Sequence, residues 1–143
     1  MNYSSTRGQD NNVSFIDAML NGLAKDGGLY VPKKITKLSK SQLAGMSKLN
    51  YEKLAFEITK LFIGSNEIDQ SDYKKICKKT YSEYFGEEII SLDKLKENEF
   101  VLNLFHGPTF AFKDFALQLL GNLYDYVLKK KKNKTYNLRC YVR

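Results

Sequence analysis

The chain has 143 residues, 43% of them hydrophobic and 27% charged, which suits a soluble globular protein with a real core. No apolar run approaches membrane-spanning length, and the polar opening, residues 1–10, has no apolar signal core, so a cytoplasmic protein is expected. The net charge of +7 lies in the tail, in Lys129, Lys130, Lys131, Lys132, Lys134, Arg139 and Arg143; residues 1–128 balance 16 basic against 16 acidic side chains and offer no basic face for nucleic acid.

In chain order, Tyr3-Ser4-Ser5-Thr6-Arg7-Gly8 is a short polar peptide that by itself reads as a terminus held by one or two hydrogen bonds. Ser14 suits a helix N-cap, with Asp17 three positions on, and Ile16, Met19, Leu20 and Leu23 follow at helical spacing. Gly22 weakens the end of that helix. Asp26-Gly27-Gly28 signals a turn, and Leu29-Tyr30-Val31-Pro32 is a short extended piece. Residues 33–40 read as a basic loop and 41–46 as a short helix. Asn50 caps a further helix with the face Leu54, Ala55, Ile58, Leu61 and Phe62, and Gly64 stands where a C-cap glycine belongs. Asp69 or Ser71 caps the next, whose face is Tyr73, Ile76, Cys77, Thr80, Tyr81 and Tyr84. An aromatic stripe at this spacing is core more often than recognition surface. Cys77 falls on this helix and Cys140 in the tail; their spacing matches no metal or redox motif, so no metal site is expected.

Residues 87–92 are ambiguous, with Ile89-Ile90 suggesting a short strand. Residues 93–99 are charged and aperiodic, and a domain boundary is placed there, giving segments 1–95 and 96–132. Residues 100–105, F-V-L-N-L-F, form an apolar run of strand length. Gly107-Pro108 breaks it. From Phe112 the period turns helical, with Phe115, Ala116, Leu119, Leu120, Leu123 and Val127 on one stripe. Lys113 then falls in the first turn of a mostly buried helix. The positive end of the helix dipole and apolar neighbours both disfavour an ammonium, so both lower the pKa of this lysine and favour a nucleophilic amine. Asp114 suits the same helix end for the opposite reason. Spacing alone leaves open an ordinary lysine that snorkels to water.

The string L-F-H-G-P-T-F-A-F-K-D-F-A-L-Q-L-L-G-N-L-Y-D-Y, residues 104–126, resembles the segment of threonine synthases that carries the pyridoxal-phosphate lysine. The pattern F-H-G-P-T, one variable residue, A-F-K-D matches residues 105–114 throughout, and its lysine falls on Lys113. The opening Y-x-S-T-R, on Tyr3 to Arg7, and residues 14–32 resemble the N-terminal domain of the same family. The resemblance implies an α/β fold: a mostly helical N-terminal domain, then the first strand and helix of a fold-type II, tryptophan synthase β-like catalytic domain. It implies pyridoxal 5'-phosphate as cofactor, held on Lys113 through a Schiff base. It further implies conversion of O-phospho-L-homoserine and water to L-threonine and phosphate, with Lys113 freed as a general base. For His106 it leaves two roles, contact with substrate phosphate or a backbone hydrogen bond that pins the turn. Thr109 either lines the site or caps the helix, and Phe112 packs beside the cofactor or in the core.

Another fold-type II enzyme, such as a threonine dehydratase, is the nearest alternative; Y-x-S-T-R and D-G-G-L-Y-V-P favour the synthase. A non-catalytic helical module using the Tyr-rich face is the alternative from another class. Family members are several times longer and carry a loop of type G-A-T-S-G-D-T-G and a phosphate-holding glycine loop that this sequence lacks. The ending R-C-Y-V, residues 139–142, can be encoded so that a one-base shift reads G-A-T-S. Residues 133–143 are therefore expected to be an out-of-frame tail on a truncated chain, inactive alone and prone to aggregate through an uncovered apolar stripe.

Overall fold

The computed structural model describes residues 1–86 and 88–131. The expected out-of-frame tail and Cys140 lie outside the described residues. Among those described, five α-helices and two small antiparallel sheets give the mixed α/β class that the sequence indicates. The chain forms two compact units, Met1–Lys74 and Lys75–Arg143.

The first unit opens with a three-stranded antiparallel sheet in the order β2-β1-β3, from β1 (Tyr3–Ser5), β2 (Asn11–Val13) and β3 (Tyr30–Pro32). Tyr3 pairs with Val13 and Pro32, and Ser5 with Tyr30. The polar opening is therefore the central strand and not a loosely held end. Its polar side chains are what fix it. Ser5, buried, donates from Oγ to Asp26 Oδ1 at 2.6 Å, and the Asp26 carboxylate also accepts the N–H groups of Gln9 and Gly28, each at 3.0 Å. Arg7 Nη1 donates to the Asp26 carbonyl at 2.9 Å, and Leu29 N–H donates to Thr6 Oγ1 at 3.0 Å. A Cβ on Gly28 would collide with Ser5 Oγ, so the double glycine serves close backbone approach. Tyr3, also buried, donates from its hydroxyl to the Phe62 carbonyl at 2.7 Å.

Helix α1 (Phe15–Asn21) is capped as expected by Ser14, whose hydroxyl accepts from Asp17 N–H. Helix α2 (Lys40–Met46) starts earlier than expected because Ser39 and Gln42 form a reciprocal capping box. Asn50 caps α3 (Tyr51–Thr59), which passes into a 3-10 turn over Lys60–Phe62. Gly64 lies beyond that turn and does not cap α3; its N–H donates to Glu67 Oε2 at 2.7 Å, while Glu67 Oε1 accepts from Ile16 N–H at 2.9 Å in the first turn of α1. The buried residue of α3 is Phe56, off the expected face, with its ring 5.7 Å from that of Tyr73. Tyr73 lies near the start of α4 (Gln70–Glu83), which Asp69 caps by accepting from Ser71 and Asp72 N–H.

In the second unit the remaining α4 face, Cys77, Thr80 and Tyr81, is buried. It packs on α5 (Asp114–Lys130): Tyr81 donates to the Phe115 carbonyl at 2.9 Å, Asn122 Nδ2 donates to Thr80 Oγ1 at 3.1 Å, and the Phe85 and Phe115 rings lie 4.9 Å apart. The aromatic stripe is thus core through Tyr81, and Tyr84 alone of its members is exposed. Between these helices runs a hairpin of β4 (Ser91–Lys96) and β5 (Glu99–Asn103), with Ser91 opposite Asn103 and Lys96 opposite Glu99. The aperiodic stretch 93–99 is therefore ordered as a hairpin around a Glu97-Asn98 turn. The apolar run faces water, with Phe100 and Leu102 half exposed, and its described partner is antiparallel.

Two outcomes follow. Phe56→Ala is expected to lower unfolding stability by about 3 kcal/mol or more, read as a drop in urea midpoint at constant m-value. For Asp26, the Ser5 hydroxyl and then the N–H groups of Gly28 and Gln9 hold the carboxyl below its ordinary pKa, against the opposing effect of burial. A lowered folded-state pKa contributes stability above the unfolded value of about 3.9 and loses it as pH falls through the folded value. Asp26→Asn is therefore expected to be less stable than the parent at pH 7, with the gap closing in acid below that value.

Candidate functional site

The stretch that carries the candidate lysine is the loop from the end of β5 to the start of α5, residues 104–113. Its entry is tied to the hairpin. His106 Nε2 is hydrogen-bonded to Ser91 Oγ at 3.1 Å, and Asn103 Nδ2 donates to Ser91 Oγ at 3.0 Å and to Asp93 Oδ2 at 2.8 Å. Of the two roles left open for His106, the geometry matches pinning the turn, made through its side chain to a hydroxyl and not to the backbone. The rings of Phe105 and His106 lie 4.7 Å apart.

The middle of the loop is folded back on the helix start. Phe110 N–H donates to the Gly107 carbonyl at 3.1 Å, which closes a turn and leaves Phe110 at φ 58°. A non-glycine residue in that left-handed region costs about 1–2 kcal/mol. The opposing contribution comes from Asp114, the first residue of α5 and only 2% exposed. Its Oδ2 accepts Thr109 N–H at 2.8 Å and its Oδ1 accepts the Thr109 hydroxyl at 2.7 Å. Hydrogen bonds to a charged acceptor contribute about 1.5–3 kcal/mol each, so the pair outweighs the strain at Phe110. Gly107 is pressed against the same side chain: a Cβ there would lie 2.5 Å from Asp114 Cβ. Thr109 accordingly neither caps α5 nor stands free; it is held by Asp114.

Lys113 immediately precedes α5, with helical angles of φ −64° and ψ −22°, and its carbonyl accepts the N–H groups of Ala116 and Leu117 at 3.1 and 2.9 Å. Its side chain is exposed, and so is Phe112 at 66%. Of the two readings that spacing left open, an amine among apolar neighbours and a lysine that reaches water, the second is the one observed: the helix begins two residues later than the stripe suggested, and its buried apolar residues are Leu123 and Val127. Phe105, Phe110 and Phe112 are likewise open to solvent. Among the described residues no hydrogen bond or ion pair engages the Lys113 amine. The residue that sequence reasoning underrated is Asp114. The signal was present as a threonine five positions before an acidic residue at a helix start, where the dipole favours a carboxylate.

The other motif stretch, Tyr3 to Arg7, belongs to the first unit, and its guanidinium is engaged by the Asp26 carbonyl. No described helix is long and apolar enough to cross a membrane.

Comparison with known proteins agrees with these observations. A sequence model described as threonine synthase N terminus matches residues 2–81. Threonine synthase of Pseudomonas aeruginosa is 47% identical over 131 residues, covering 92% of this chain and 28% of that protein. The crystal structure of PLP-bound threonine synthase from Brucella melitensis superposes with a TM-score of 0.87 at 37% identity, over 94% of this chain and 29% of that one. Threonine synthase from yeast gives a TM-score of 0.83 at 40% identity, over 96% and 28%. The chain spans 28% of the length of the Pseudomonas relative, and its described fold is that of the N-terminal region these structures share. With a family model on more than half of its length and close relatives across nine-tenths of it, the chain belongs to the threonine synthase family and represents its N-terminal portion.

Proposed function

We propose that this chain supplies the lysine-bearing part of a threonine synthase, a cytoplasmic enzyme that converts O-phospho-L-homoserine and water to L-threonine and phosphate with pyridoxal 5'-phosphate as cofactor. The observation that carries the reading is Lys113: an exposed primary amine, unengaged among the described residues, in a motif that matches the family pattern from Phe105 to Asp114. A free amine on a fixed backbone is what a cofactor bound through an aldehyde requires, so the residue fits the group. Residues 1–95 then serve as the N-terminal domain and 96–132 begin the catalytic one. By itself the chain, 28% of the length of its Pseudomonas relative, is inactive in this reading.

When bound, the cofactor supplies an electron sink for carbanions at the substrate. The rest falls to this chain's residues. Lys113 Nζ would hold the cofactor and, as a free amine, would take a proton from substrate carbon as general base. His106 and Asn103 fix the loop entry on the hairpin, and Asp114 fixes its exit. Holding amine and substrate in one geometry is the protein's part in the rate. The buried Tyr81 and Cys77 leave the helical-module alternative without its recognition face.

The test is a chimera that joins residues 1–131 to the remaining C-terminal portion of the Pseudomonas aeruginosa relative. It is expected to form threonine, and Lys113→Ala to lower the rate by about a thousandfold. A Lys113→Ala chimera as active as its parent would contradict the reading.

A further inference from the structure

We propose that Asp114 is a positioning residue for Lys113, acting through a clamp on Thr109. The inference rests on the proposed role of Lys113 and adds a residue to it. Asp114 is almost fully buried, yet no arginine or lysine is paired with it among the described residues; its partners are the Thr109 N–H and hydroxyl. Both carboxylate oxygens accept, one donor each, so the side chain is held in position and direction. The clamp spans residues 109–114 and encloses Lys113. Two further observations show that the loop is forced into this shape. Phe110 is kept at φ 58°, a conformation that phenylalanine adopts only when its surroundings impose it. Gly107 approaches Asp114 so closely that even a methyl group would meet its Cβ at 2.5 Å.

The consequence falls on Lys113. Its N–H side is set by the clamped loop, and its carbonyl is committed to Ala116 and Leu117 in the first turn of α5. Its Cα–Cβ bond therefore has one direction, and the amine starts from a fixed root although its tip is exposed. Release of the clamp lets Phe110 return to negative φ, and the peptide ahead of Lys113 turns with it. Asp114 touches no reacting atom in this account; it orients the residue that does.

The test uses the chain itself, without cofactor, by NMR. Readouts are the amide exchange rate of Thr109, the φ-sensitive coupling of Phe110 and the Cα shift of Lys113, with the Cα shifts of Leu119 to Val127 reporting whether α5 stays intact. In Asp114→Asn, Thr109 exchange is expected to rise about tenfold, the Phe110 coupling to leave its left-handed value and the Lys113 shift to move toward coil, with α5 unchanged. Thr109→Val removes one donor at a half-buried position and is expected to give the same changes in smaller measure. Thr109→Ser keeps both donors and is expected to restore the parent values. Gly107→Ala displaces Asp114 from the other side and is expected to resemble Asp114→Asn. Parent-like values at Thr109, Phe110 and Lys113 in Asp114→Asn and Thr109→Val would overturn the inference, as would Thr109→Ser behaving like Thr109→Val. Threonine formation by the chimera is a separate measurement, so the clamp and the proposed function fail by different results.

Discussion

A carboxylate turned inward collects N–H and O–H donors that a loop would otherwise leave to water. Burial without such partners is costly, so the loop and the acid specify each other. Asp114 does this in the second unit by gathering both donors of Thr109, and the loop that bears Lys113 takes its shape from that pair. Asp26, half-buried, gathers donors in the same way in the first unit, where Ser5, Gln9 and Gly28 converge on one side chain. Each acid closes a glycine-containing turn that tolerates no added methyl group at Gly107 or Gly28. The two motif stretches that resemble the family are thus places where backbone and carboxylate fit together.

Much of the helical structure was legible from local chemistry. Ser14, Asn50 and Asp69 cap the helices they precede because capping needs only a side-chain oxygen at the right position. The aromatic face of α4 proved to be core, as its period indicates, through Tyr81. Of the N-terminal sheet only β3 was legible, as the extended piece Leu29 to Pro32; the central strand was not. Tyr3-Ser4-Ser5 has no β-branched residue and no alternation of apolar and polar side chains, and its place between two strands depends on Asp26, more than 20 positions away. The hairpin escaped for a related reason: β4 mixes Leu92 and Leu95 with Asp93, Lys94 and Lys96, and all five are exposed, so no burial pattern marks it. Phe56 lies off the apolar face read along α3 and is buried by Tyr73, a long-range contact that periodicity does not contain.

For the site, the motif located the lysine and structure supplied its surroundings. Reading Phe112 as the first turn of α5 put Lys113 on a mostly buried helix and left open whether its amine reaches water. The helix instead begins at Asp114, and both Phe112 and Lys113 face outward. The cause is the clamp: Thr109 takes both oxygens of Asp114, and the chain turns at Ala111 before the helix can begin. In the proposed function, this amine, exposed on a backbone held at both ends, would be the chain's contribution to a larger catalytic site.

The most direct test of the central claim, that Lys113 is the residue which holds the cofactor, is borohydride reduction of the chimera in the presence of pyridoxal 5'-phosphate, followed by peptide mapping. The account predicts a fixed label on the peptide containing Lys113. A label on another lysine, with Lys113 unmodified, would contradict it.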